Sequence, residues 1–197
     1  APAQAPADPA GPAPTKRQRD RLVRLNQLIA SCAQQKRAAR ARELYEQLLA
    51  ENLRPTAPTF GALVNAAVRT GDLEGARAWM AEAGRRGIGP GVATHTALLK
   101  GLCEAGEMAE AWCTVRAMAD GGCTPNLRTA NTLLRGCKRA GDVAGARRCL
   151  RRMEVAWGVE PDATSLEYLG ALLCQGLRAP ELRRLLRRLR RGEGAEP

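Results

Sequence analysis

A chain of 197 residues ordinarily forms one or two globular domains. Its lysines and arginines outnumber the acids by 31 to 20, and the resulting +11 favours an anionic partner, nucleic acid or a membrane surface. No run of 18 apolar residues exists, so nothing spans a bilayer, and seven cysteines without a CxxC pair, beside a single histidine, speak for a reducing compartment and against a zinc site or disulfide framework.

Residues 1–20 differ from everything that follows. Ala1 to Pro14 contains little but alanine and proline and reads as an extended linker or the stub of a removed targeting segment. A chain that opens without methionine is expected to be processed, trimmed or part of something longer.

From Leu22 the sequence repeats. Blocks 22–56, 57–91, 92–126 and 127–162 carry Leu28, Leu63, Leu98 and Leu133 at the seventh residue and Ala41, Ala76, Ala111 and Ala146 at the twentieth. Pro55, Pro90, Pro125 and Pro161 close them, and 163–176 is a partial fifth. Such a period means stacked supersecondary units in which each buries its apolar face against its neighbours. Each block reads as two short helices. In the third, Val92, Leu98, Leu99, Leu102 and Cys103 stripe a first helix ending near Gly106. Met108, Ala111, Trp112, Val115 and Met118 stripe a second, which stops at Gly121-Gly122. Gly71, Gly106 and Gly141 recur at the fifteenth residue, where a tight turn calls for φ > 0 or close backbone approach. Lys36 stands there in the first block, whose turn must be made differently.

Cys32, Cys103, Cys137 and Cys174 fall at the eleventh or twelfth residue and read as core packing, while Cys113, Cys123 and Cys149 receive no role. Trp79 and Trp112 sit at core spacing on second helices. Trp157 lies in the one-residue insertion Val155–Gly158, where an exposed position and contact with a partner stay open.

A 35-residue helical hairpin with this pattern, most plainly Val92–Gly106 and Leu127–Gly141, resembles the pentatricopeptide repeat, from about residue 22 to 176. The closing prolines at a 35-residue period argue against the 34-residue tetratricopeptide repeat. The resemblance implies an all-α fold, an α-solenoid of helix-turn-helix units forming a right-handed superhelix, with first helices lining a concave groove that binds single-stranded RNA, one base per unit. It further implies that the fifth and last residues of a unit face the base edge: Asn26 with Thr56, Gly61 with Gly91, Thr96 with Asn126, and Asn131 with Asp162. By that analogy Thr96–Asn126 favours adenine and Asn131–Asp162 favours uracil, while the glycine pair offers no side-chain hydrogen bond. A plainer reading is also open, in which Asn126 and Asp162 cap the helices they precede. The family's second-position clamp of bulky aliphatic residues is met by Val23 but not by Pro58, Ala93, Arg128 or Thr164. His95, where the family usually has tyrosine, reads as a packing residue.

Charge gathers towards the C-terminus. Residues 177–197 read as an arginine-rich capping helix and tail: seven arginines against Glu181 leave +6 between 178 and 191, Pro180 opens the helix, and Leu182, Leu185, Leu186 and Leu189 form a stripe fit to pack on the helix before it. Arg183, Arg184, Arg187 and Arg188, with Arg147, Arg148, Arg151 and Arg152 on the second helix of the fourth block, are candidate phosphate contacts independent of the groove. A solvated cap that keeps the stack soluble is the alternative.

Catalysis finds no support. There is no His-x-Glu with CxxC for deamination, no cluster of aspartates for a nuclease metal, and no phosphate-binding glycine motif. No cofactor is expected. The candidate functions are an organellar RNA-binding factor acting in RNA metabolism or translation, a structural subunit of a large ribonucleoprotein such as an organellar ribosome held by rRNA and proteins, and a protein-binding adaptor. The mitochondrial or chloroplast location is an implication of the resemblance.

Overall fold

A computed structural model describes residues 15–175 together with Pro180, Arg183, Arg184, Leu186 and Arg187. The Ala/Pro-rich segment 1–14 and most of the expected arginine-rich helix, Arg188 included, lie outside the described residues. Those described form helices and no strand: α1 (Lys16–Gln34), α2 (Ala38–Ala50), α3 (Ala57–Thr70), α4 (Leu73–Arg85), α5 (Val92–Ala105), α6 (Met108–Asp120), α7 (Leu127–Ala140), α8 (Val143–Arg152) and α9 (Ala163–Gln175), with a π-helical turn at Met153–Trp157. The fold is all-α, of the helical-repeat solenoid class. None of the described helices is long and apolar enough to cross a membrane. The chain divides into two compact units, residues 1–98 and 99–197.

In the first unit α1 packs on α2 and α3, and α3 on α4. Leu25, Ile29, Leu44, Leu48, Phe60 and Leu63 form its core, each nearly solvent-free and each worth about 1.5–3 kcal/mol as an apolar side chain removed from water. Tyr45 joins α2 to α3 and α4, its ring 5.8 Å from Phe60 and 4.9 Å from Trp79. Outside this core Arg21 forks onto Glu51 at 2.7 and 2.8 Å, and that contact holds the Glu51 carboxyl down at about 2. In the second unit α7 packs on α6, α8 and α9 around Leu133, Leu134, Cys137, Ala146, Cys149 and Leu172, all buried. His95 is buried, with Nδ1 3.2 Å from the Gly91 carbonyl.

Each hairpin closes the same way. An N–H bonds back five residues at every turn: Arg37 to the Cys32 carbonyl, Asp72 to Ala67, Glu107 to Leu102 and Asp142 to Cys137, each at 2.9 Å. The residue before that donor takes a left-handed conformation, with φ of +80° at Gly71, +83° at Gly106 and +67° at Gly141. Lys36 does likewise at +57°. The first turn is therefore not made differently, as the sequence implied. It has the same geometry, and a side chain bears the strain.

Several expectations are corrected. Cys174 is exposed, whereas Cys32, Cys103 and Cys137 are buried, and Cys149, given no role, is buried with them. Desolvation pushes the Cys103 thiol up to about 11 and the Cys137 thiol to about 12, leaving both unreactive. Trp157 is only 9% exposed: the extra residue of the fourth block is absorbed by the π turn, which widens the helix end and sends the indole inward. Leu186 is 48% exposed, and Leu182, Leu185 and Leu189 of the expected stripe lie outside the described residues. Leu28 is 50% exposed although Leu63, Leu98 and Leu133 are buried.

Gly136 marks a close approach of helices, since a Cβ there would lie 2.5 Å from Cys103 Sγ and 2.8 Å from its Cβ. Two substitutions should shift stability in opposite directions in denaturant unfolding. Lys36→Gly relieves about 1–2 kcal/mol of left-handed strain and loses part of it to unfolded-chain entropy, a net gain of about 0.5–1 kcal/mol. Gly136→Ala overpacks and costs about 1–3 kcal/mol. A destabilised Lys36→Gly variant would contradict the strain assigned to this turn.

Candidate nucleic-acid interface

Three polar residues from consecutive hairpins meet at a recurring node. In the first unit Asn26 of α1, Thr56 at the N-terminus of α3 and Thr59 one turn into α3 come together: Thr59 Oγ1 donates to Asn26 Oδ1 at 2.8 Å, Asn26 Nδ2 reaches Thr56 Oγ1 at 3.5 Å, and the Thr56 N–H donates to Thr59 Oγ1 at 3.0 Å. In the second unit the same arrangement joins α7 to α9. Ser165 Oγ donates to Asn131 Oδ1 at 2.5 Å and also lies 2.9 Å from Asp162 Oδ1, while Asn131 Nδ2 donates to the Asp162 oxygens at 3.2 and 3.4 Å. The spacing that pairs residues 26 with 56 and 131 with 162 thus reflects physical contact.

In two of the four pairs the last residue also caps the next helix. Asp162 Oδ1 accepts the Ser165 N–H at 2.8 Å, and Asn126 Oδ1 accepts the Thr129 N–H at 3.0 Å. Capping and pairing therefore coexist, because capping takes one carboxylate oxygen and leaves Oδ2 the less engaged. Burial alone would raise the Asp162 carboxyl. Hydrogen bonds from the Ser165 N–H, the Ser165 hydroxyl and the Asn131 amide outweigh that and hold it below the ordinary carboxylate range. The two remaining positions are less open. Thr96 is 8% exposed, and its hydroxyl donates to the Val92 carbonyl at 2.8 Å. A Cβ at Gly61 would lie 3.0 Å from Thr94 Oγ1, so that hydroxyl crowds the space a fifth-residue side chain would take.

Sequence reasoning missed the third member of the node. Thr59, Thr94, Thr129 and Ser165 stand at the third residue of their blocks and are buried at 0, 4, 1 and 0% exposure. The recurrent hydroxyl was visible in the sequence, but a Thr three residues into a helix looks like ordinary N-terminal chemistry.

The basic candidates are not among the residues that form the nodes. Arg147, Arg148 and Arg151 of α8 are exposed and Arg152 is half-buried. Arg148 Cζ lies 4.9 Å and Arg152 Cζ 5.8 Å from the centre of the Trp112 ring on α6, so two guanidinium groups are stacked on one indole. Trp112 is accordingly half-buried beneath cations, and its Nε1 is without a hydrogen-bond partner. Four arginines without an acid in ten residues set α8 apart from α2, α4 and α6, whose arginines are balanced by acids. Arg183, Arg184 and Arg187 are exposed, with Arg187 Nε donating to the Arg183 carbonyl at 3.3 Å. Among the described residues no group of three His, Cys, Asp or Glu side chains is placed to hold a metal ion.

Comparison with known proteins places this geometry. The family model described as "PPR repeat family" matches residues 90–139, and the one described as "PPR repeat" matches 58–88 and 128–156. No curated protein matches the sequence. Among solved structures, the chain is similar to the PPR domain of Arabidopsis thaliana protein-only RNase P 1 in complex with tRNA, at 20% identity and TM-score 0.73 over 88% of this chain and 92% of that one. It is also similar to the pentatricopeptide repeat protein PPR10 in complex with an 18-nt psaJ RNA element (23%, 0.71, 85% of this chain) and to nuclear protein-only RNase P 2 of Arabidopsis thaliana (20%, 0.71, 88% of this chain). The chain spans 24% of the former and 38% of the latter.

The depressed Asp162 carboxyl carries a pH signature. Its contribution to stability is complete above an unfolded value of about 4 and is lost as pH falls through the lower folded one. Asp162→Asn keeps a capping oxygen and removes this dependence, so the variant's thermal midpoint should fall less than the parent's between about pH 5 and 2. Identical acid slopes would show that the node does not hold the carboxylate.

Proposed function

The chain belongs to the pentatricopeptide repeat family, and on that premise we propose that it is an RNA-binding protein whose polar nodes each take one base of a single strand. The observation that carries this reading is the Asn131–Asp162 pair. It offers an amide N–H beside a carboxylate oxygen on a rigid helical support. A base edge that sets a carbonyl beside a ring N–H is its complement, and uracil has that edge. Asn26–Thr56 is the second competent node, and Gly61–Gly91 discriminates nothing. If each good contact is worth about 1–3 kcal/mol, two nodes supply about 2–6 kcal/mol, which supports local preference and not selection of one site in a transcriptome. The chain acts as a binder with no catalytic step of its own, and by family it belongs in a mitochondrion or chloroplast, in RNA metabolism or translation.

A second reading is favoured by α8. Like charges at i, i+3 and i+4 cost a helix about 0.2–0.5 kcal/mol each, and Arg147, Arg148, Arg151 and Arg152 incur several such pairs that a polyanion would relieve. With Arg148 and Arg152 propped on Trp112, this face suits the phosphates of folded RNA. That would fit a structural subunit of a ribonucleoprotein, with Arg183, Arg184 and Arg187 as further contacts.

Titration of the chain with short single-stranded RNAs separates the readings. Asn131→Ala should reduce affinity for uridine-containing strands roughly fivefold or more and spare strands without uridine. Arg147→Gln with Arg151→Gln should weaken all strands alike and lower the salt slope by about 2. If Asn131→Ala changes nothing while the arginine pair abolishes binding, base reading fails and the phosphate reading stands.

A further inference from the structure

We infer that the buried hydroxyl at the third residue of a first helix, Ser165 for one node and Thr59 for the other, is a positioning residue that decides which edge of the preceding fifth residue meets the base. This rests on the base-reading function proposed above. A hydroxyl has one hydrogen to give. Ser165 Oγ lies 2.5 Å from Asn131 Oδ1 and 2.9 Å from Asp162 Oδ1, and both are acceptors, so its proton belongs to the shorter contact. Asp162 already receives the Ser165 N–H at 2.8 Å and the Asn131 amide at 3.2 Å. Turning the Asn131 amide over would set its oxygen against the Asp162 carboxylate and leave Nδ2 facing Ser165. The carboxylate and the hydroxyl therefore agree on one orientation, with Oδ1 inward and one N–H of Nδ2 left to face a ligand.

The first unit reaches the same result with different residues. Thr59 Oγ1 gives its hydrogen to Asn26 Oδ1 at 2.8 Å while accepting the Thr56 N–H at 3.0 Å. With that hydrogen spent, the 3.2 Å contact between the two threonine hydroxyls has Thr56 as donor. Asn26 is again fixed with oxygen inward and N–H outward. Thr59 and Ser165 are both at 0% exposure, so no water stands ready to take over either bond. A fifth-residue asparagine held this way offers a donor, and a base presenting only a donor at that point is rejected. Remove the hydroxyl and the amide turns more freely, so the N–H and the carbonyl are both available and the choice of base is lost, while phosphate-driven affinity is kept.

The test uses the full chain with single-stranded RNAs differing at one position, uridine against cytidine, and follows the Asn131 side-chain amide by NMR without RNA. Ser165→Ala should lower the uridine-to-cytidine affinity ratio by about fivefold or more, with little change in affinity averaged over bases, and should shift the Asn131 amide signals. Ser165→Thr, which restores a hydroxyl, should return both readouts to those of the parent. If Ser165→Ala fails to fold, Thr59→Val against Thr59→Ser asks the same question at Asn26. A parent that prefers uridine and loses the preference with Asn131→Ala, yet keeps it with Ser165→Ala, overturns this inference and leaves base reading intact. A parent with no preference overturns base reading itself, and an unshifted Asn131 amide in Ser165→Ala still decides against the positioning role.

Discussion

One alanine in each hairpin is buried at the same place, and the packing of each unit depends on that small side chain. Ala41, Ala76, Ala111 and Ala146 are 1, 0, 0 and 0% exposed at the same place on four second helices. A larger side chain at such a point would drive packed helices apart, since protein interiors have no slack of that size. Within each compact unit, helices packed in this way hold the first helices at a fixed offset. That offset brings an asparagine from one hairpin within hydrogen-bonding distance of the capping residue and third residue of another. The polar nodes are thus a consequence of apolar packing.

The nodes place capping and side-chain pairing on the same residues. Asp162 closes the N-terminus of α9 with Oδ1 and pairs with Asn131 through both oxygens, and its own acidity records how many donors converge on it. Such economy also has a cost in range. Where the fifth residue is Gly61, the Thr94 hydroxyl lies 3.0 Å from where a Cβ would be, and no side chain is there to form a node. The arginines of α8 follow a separate logic: four cations share ten residues of helix, and two of them lean on Trp112.

Much of this was legible in the sequence, for a definable reason. A 35-residue period with fixed leucines, alanines and prolines leaves little choice but stacked helical hairpins, and the helix ends at Ala105 and Asp120 fall where Gly106 and Gly121 put them. What the period hid is equally specific. Lys36 broke the glycine pattern without breaking the turn, because a left-handed residue costs an amount the surrounding fold can bear. Trp157 looked exposed because an inserted residue suggests a loop, yet a π turn absorbs it within the helix. Cys174 looked buried by offset alone and is exposed. The hydroxyls of Thr59 and Ser165 were in plain view, but their partners lie about 33 residues away, and short-range pattern reading does not register contacts at that separation.

The most direct measurement is the side-chain amide spectrum of the chain during addition of a short uridine-rich single strand, with the Asn131 and Asn26 Nδ2 signals followed together with backbone signals of α8. Base reading at the nodes predicts that the Asn131 amide moves saturably with uridine and less with cytidine. If the α8 signals respond while both asparagine amides stay still at saturating RNA, the nodes are structural caps and the account of how this chain meets RNA is wrong.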